Sequence, residues 1–133
     1  TLKSVNVPVI AATGNTSNRT AINSIACLPD VVSVGATDNP DPGTTGKTYD
    51  PTAKPYIARY SNGDSTVDFY LNGRWNVTNA DGTVKFMVGT SNATASLSAF
   101  WLLNRKDSFD STYKSFVTTT ASNEWLTGRY ISI

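Results

Sequence analysis

These 133 residues predict a mixed α/β domain on a mostly parallel sheet, with a buried helix that follows a β-hairpin. Three observations predict it. Residues 7–13, "VPVIAAT", and 31–37, "VVSVGAT", are short and apolar on both faces, the pattern of strands covered on both sides in a parallel sheet. Residues 74–88, "RWNVTNADGTVKFMV", alternate apolar and polar around a turn that ends in Gly82, the pattern of a hairpin. Residues 90–103, "TSNATASLSAFWLL", lack a polar face, as a buried helix does.

In chain order, the first strand runs to Thr13 and is stopped by Gly14-Asn15. The second follows after "SIACLPD". Residues 38–56 hold Pro40, Pro42, Pro51 and Pro55 among Gly and Thr and are expected to be a loop insertion. Asp38, Asp41 and Asp50 fall there, but their irregular spacing matches no calcium-ligand pattern, so no cofactor is expected. "TVDFYL" is a third strand and leads into the hairpin. Thr90 is the expected cap of the long helix, with Ala93, Leu97, Phe100, Trp101, Leu102 and Leu103 buried around it. "DSTYKSFVTTTAS" is expected to be a second helix capped by Asp110 or Ser111, and "GRYISI" a closing strand.

The length fits one domain, and 39% hydrophobic residues suffice for a core. Charged residues make up 16%, below the usual quarter, and Thr, Ser and Asn replace them. Such a neutral, hydroxyl-rich surface points to a secreted or cell-envelope setting outside the cytoplasm. A net charge of +1 with scattered Lys and Arg argues against nucleic-acid or anionic-membrane partners. No apolar run reaches the roughly 20 residues of a membrane span. Cys27, the single cysteine, has no internal disulfide partner and reads as a small buried hydrophobe. The opening "TLKSVNVPVIAA" has neither initiator Met nor signal sequence and suggests a mature or excised piece.

Ser91 stands at the start of the long helix. A hydroxyl becomes a nucleophile when a base takes its proton and donors receive the charge that builds on the attacked carbonyl. A helix N-terminus supplies unpaired N–H groups and partial positive charge, and Gly89 permits close approach of a substrate backbone. A serine at this position is also, more commonly, a helix cap.

At this point the sequence resembles a known family. "GTSNATASLSAFWLL" is similar to the nucleophile helix of subtilisin-like serine proteases, the subtilases, whose pattern is Gly-Thr-Ser-Met-Ala-x-Pro-His-Val-Ala-Gly. "VIAATGN" resembles their Ala-Ala-Gly-Asn segment, "ACLPDVVSVGATD" the strand that follows, "ARYSNGDSTVDFYLNG" the stretch ending Ala-Pro-Gly, and "FVTTTAS…GRYISI" the closing elements. The resemblance covers residues 1–133 in order, as the C-terminal part of a subtilase catalytic domain, and implies a partial subtilisin-like three-layer fold. It implies that Ser91 is the acylated nucleophile and that Asn15 is the side-chain donor of the oxyanion hole. It further implies that Ala12, Thr13 and Gly14 line the pocket for the residue before the scissile bond. The sequence departs from the pattern at Asn92, where the family has Met, at Ala95-Ser96-Leu97-Ser98-Ala99 and at Leu71-Asn72-Gly73.

The chain contains no histidine. In subtilases the triad Asp and His both precede the serine, so zero His fits a segment that lies downstream of them. The expected function is a serine endopeptidase working on peptide or protein substrates, inactive alone, with the Asp and His supplied by an N-terminal portion of the same protease. The alternative is a catalytically inactive subtilase-like module that binds peptides or proteins through the old cleft; an esterase or other acyltransferase is a third reading. Lacking half a domain, the isolated chain is expected to be marginally stable.

Overall fold

The computed structural model describes residues 1–38 and 55–133. Most of the expected loop insertion, with Asp41 and Asp50, lies outside the described residues. After a 3-10 turn at Lys3–Val5 come β1 (Val9–Ala12), β2 (Val31–Asp38), β3 (Tyr56–Ile57), β4 (Phe69–Asn72), β5 (Arg74–Thr78) and β6 (Val84–Val88). Then follow α1 (Thr90–Leu103), α2 (Phe109–Ser115), β7 (Thr119–Ser122) and β8 (Thr127–Tyr130).

The strand that is apolar on both faces, β2, is the centre of the sheet. It pairs in parallel with β1 (Val9 opposite Val31) and with β4 (Val34 opposite Phe69). Its last residues pair antiparallel with β3, and the chain closes a ring β2–β3–β7–β8–β4. Val32, Val34 and Ala36 alternate onto the face covered by α1, where Leu97, Trp101, Phe69 and Leu71 meet them. The other face packs Ile57, Val67, Tyr70, Ala121 and Leu126 inside the ring. By contrast β1 is half-buried along its length, because it is the sheet's edge among the described residues.

Helix α1 lies across β1, β2 and β4. It corrects the expectation of burial all round: Thr90, Ala93, Leu97 and Trp101 are buried, whereas Leu102 is 71% and Leu103 83% exposed. The sheet covers one side of the helix, and nothing among the described residues covers the other. Trp101, 2% exposed, sets the aromatic core with Phe109 and Phe116 at ring separations of 5.0 and 5.2 Å. Trp101→Ala is expected to destabilise the fold by about 3–5 kcal/mol through the cavity it leaves. A lowered urea midpoint with an unchanged slope checks this.

Other local expectations change for identifiable reasons. The cap of α2 is Ser108, whose hydroxyl accepts from Ser111 N–H at 3.1 Å, not Asp110 or Ser111. That helix stops at Ser115, and the β-branched residues after it form β7 instead. Cys27 is exposed, in a turn where Ala26 is the buried side chain. The expected hairpin forms as β5–β6, Arg74 opposite Val88 and Thr78 opposite Val84, with Gly82 at φ +81°, and Val84, Phe86, Met87 and Val88 stay more than half exposed. Among the described residues no helix is long and apolar enough to cross a membrane.

Candidate active site

Strand β1 delivers its last residues to the start of α1. Beyond Ala12, which is half-buried, Thr13 is buried; its N–H donates to Val34 O at 3.0 Å and its hydroxyl to Asn62 O at 2.8 Å. Gly14 then turns the chain at φ +105°, a conformation that strains any side-chain-bearing residue. A Cβ there would also lie 2.5 Å from Asn62 Nδ2 and 2.7 Å from Asn23 Oδ1, so the close packing itself requires glycine. Asn62, almost fully buried, gathers the loop: its Oδ1 accepts from Thr16 N–H, the Thr16 hydroxyl and Asn18 N–H.

The turn aims Asn15 at α1. Its Oδ1 accepts from both Thr90 N–H and Thr90 Oγ1, each at 2.9 Å. Helices begin with N–H groups that lack intrahelical partners, and a side-chain oxygen usually satisfies one of them from the preceding residue. In α1 that preceding residue is Gly89, which has no side chain. Asn15 therefore caps α1 from 75 residues away in the sequence. This corrects the expectation for Thr90: it is the first helical residue, buried, and a donor to the cap.

The same bonds fix the other end of the Asn15 amide. Thr90 N–H can only donate, so the carbonyl oxygen must face it and Nδ2 must face away. Nδ2 lies 3.6 Å from the point where a Cβ on Gly89 would stand, and Ser91 N lies 3.8 Å from that same point. Among the described residues neither nitrogen donates a hydrogen bond. Two unspent donors thus lie near the space that Gly89 leaves open, at the positive end of a 14-residue helix with no acidic residue in its first turn. Ser91 is exposed beside them, and its Oγ makes no hydrogen bond among the described residues. Such an arrangement can hold a small anion or a developing oxyanion, but it has no base of its own.

The surroundings stiffen the site. Asp38, at the end of β2, holds Arg74 through two bonds, Nε to Oδ1 at 2.6 Å and Nη2 to Oδ2 at 3.1 Å, which roots the hairpin beside α1. That bond raises the Arg74 guanidinium above its ordinary range, so it stays charged. Burial, reinforced by the Asp38 carboxylate, pushes the Tyr60 phenol well up, so it stays neutral. The Asp38 carboxylate is thereby engaged by arginine, and the described residues contain no cluster of three metal-ligating side chains.

The structure brings Ser91 and Asn15 together through Thr90, with Ala12, Thr13 and Gly14 leading directly into Asn15. Sequence reasoning read Thr90 as the cap and not as the link, singled out Asn92 as a departure from the family pattern without its bonds, and missed Asn62. The Ser-Asn-Gly run at 61–63 was the available signal for Asn62, since an Asn there commonly bonds local backbone.

The family model described as the subtilase family, Peptidase_S8, matches residues 3–129. Among solved structures, the chain is similar to sphericase, with TM-score 0.60 and 22% identity over 86% of this chain and 40% of that one. It is also similar to the prenylagaramide maturation protease PagA, with TM-score 0.54 and 29% identity over 77% of this chain and 33% of that one. The chain thus spans a third to two-fifths of the length of these structures. Comparison with curated proteins gave no match.

Proposed function

The chain belongs to the subtilase family, and from that premise we propose that it is the nucleophile-bearing part of a serine endopeptidase. In this reading Ser91 Oγ attacks the carbonyl carbon of a peptide bond as an imidazole takes its proton. The carbonyl oxygen, now carrying the charge, moves between Asn15 Nδ2 and Ser91 N–H. Collapse of the tetrahedral intermediate breaks the C–N bond, the imidazole returns the proton to the leaving amine, and water then hydrolyses the Ser91 ester. Ala12, Thr13 and Gly14 border the pocket for the residue before the scissile bond.

The observation that carries this reading is the proximity of two unspent N–H donors, Asn15 Nδ2 and Ser91 N, to the open space over Gly89, next to a hydroxyl that is unbonded among the described residues. Because the chain has no histidine, the imidazole and the carboxylate that orients it come from an N-terminal portion of the same protease. The edge of β1 and the side of α1 that are uncovered among the described residues are suited to receive it. Between them lies a hollow of about 560 Å³ lined by Pro8, Val9, Ile10, Trp101, Leu102 and Arg105. The low charge and hydroxyl-rich composition support an extracytoplasmic setting.

A fluorophosphonate probe applied to the complete protein that carries this chain tests the reading. The expected result is a single adduct, located at Ser91 by mass spectrometry and lost in Ser91→Ala. A folded protein without an adduct would favour the non-catalytic peptide-binding module instead.

A further inference from the structure

The residue after the nucleophile has a place that its neighbours explain. Both hydrogens of the Asn92 side-chain amide are spent on backbone carbonyls, Gly73 O, just before β5, at 3.1 Å and Met87 O, in β6, at 3.0 Å. Gly73 O receives a second donor, Gly89 N–H, at 3.0 Å, and Gly89 O in turn accepts from Asn92 N–H at 3.2 Å. These bonds close a ring: Asn92 side chain, Gly73 O, Gly89 N–H, Gly89 O, Asn92 N–H. Gly89 is held at both of its backbone polar groups, and Asn15 Nδ2 and Ser91 N both lie within 4 Å of where a Cβ on it would stand.

We propose that Asn92 is a positioning residue for acyl transfer: its amide ties the helix start to β6 and to the residue that leads into β5, and thereby sets where Ser91 N–H points. The proposal rests on the reading of Ser91 as nucleophile. An oxyanion gains most from donors that need no rearrangement when the charge appears. Asn15 secures one donor through Thr90. The other is backbone, and its direction follows the turn at 89–91. A hairpin whose β6 residues are mostly exposed has little packing to hold that turn, so hydrogen bonds must do it. A side chain at 92 without two N–H groups leaves the ring open, and one with a carboxylate sets oxygen against two carbonyl oxygens.

The test compares wild type, Asn92→Leu and Asn92→Asp in the complete protein. For Asn92→Leu, kcat is expected to fall about ten- to a hundredfold with KM within about twofold, since donors lose their aim while peptide binding is kept. Asn92→Asp is expected to fall further. A cycle with Asn15→Ala should show strong non-additivity, because both residues act on one oxyanion. Amide hydrogen exchange supplies a readout independent of turnover: Gly89 should exchange roughly tenfold faster in Asn92→Leu, while Leu97 in mid-helix is unchanged. Unchanged Gly89 exchange overturns the proposal. So does faster exchange with kcat retained, and so does a joint fall of kcat, KM fit and melting temperature, which marks a merely structural role. A wild-type protein without turnover overturns the peptidase reading and takes the positioning role with it; the Gly89 rate still shows whether the ring itself exists.

Discussion

Ser91→Ala is expected to cut peptide hydrolysis by the complete protein by on the order of 10⁵-fold or more while leaving its stability within about 0.5 kcal/mol of wild type. Ser91 is exposed and its hydroxyl is unbonded among the described residues, so its removal opens no cavity and strands no partner. Stability and activity are therefore separable at this position, which is uncommon for a residue at a helix start. The remaining rate should exceed that in water, because the two donors over Gly89 survive the substitution. Steady-state turnover and a urea melt on the same sample check both halves of the statement. A loss of activity accompanied by unfolding would assign Ser91 a structural role.

In the proposed mechanism Asn15 carries two functions on one amide, and a pair of substitutions separates them. Asn15→Ala removes the cap on Thr90 and the donor toward Ser91 together. The expected result is a loss of about 1 kcal/mol of stability from the missing cap and a fall in kcat of about 10² to 10³-fold with little change in KM. That kinetic range is taken from subtilisin itself, whose oxyanion asparagine defines it. Asn15→Asp keeps an oxygen for Thr90 N–H and adds negative charge at a helix N-terminus, where it is tolerated or favourable. It also turns a second oxygen, in place of the N–H₂, toward the developing oxyanion. Stability should hold and turnover should fall at least as far as in Asn15→Ala. If both variants lost stability and activity in proportion, Asn15 would be a cap and nothing more.

The parts of this structure that were legible in the sequence are those set by local pattern. The strand 31–37 is apolar on both faces and is the sheet centre; the hairpin around Gly82 alternates as hairpins do; Gly14 stops β1 because the turn there needs positive φ. What was illegible depends on what else is near. Residues 7–13 carry the same apolar pattern as 31–37, yet among the described residues β1 is an edge strand, because composition does not say which neighbours are present. Leu102 and Leu103 look like core and are exposed for the same reason. At the site, the family pattern pointed to Ser91 and Asn15, which the structure brings together through Thr90, whereas the role of Thr90 itself was not legible. A cap is expected from the residue just before the helix, and in α1 it comes from a loop far away in the chain. Asn92 departs from the family pattern, and its ring of bonds appears once the hairpin is folded back on α1.

The most direct test of the central claim is a structure of the complete protein after reaction with a fluorophosphonate. If the two donors over Gly89 form an oxyanion hole, the phosphoryl group on Ser91 Oγ will place one oxygen about 2.7–3.1 Å from both Asn15 Nδ2 and Ser91 N. A Ser91 adduct whose oxygens all turn to solvent, with Asn15 Nδ2 bonded elsewhere, would contradict it.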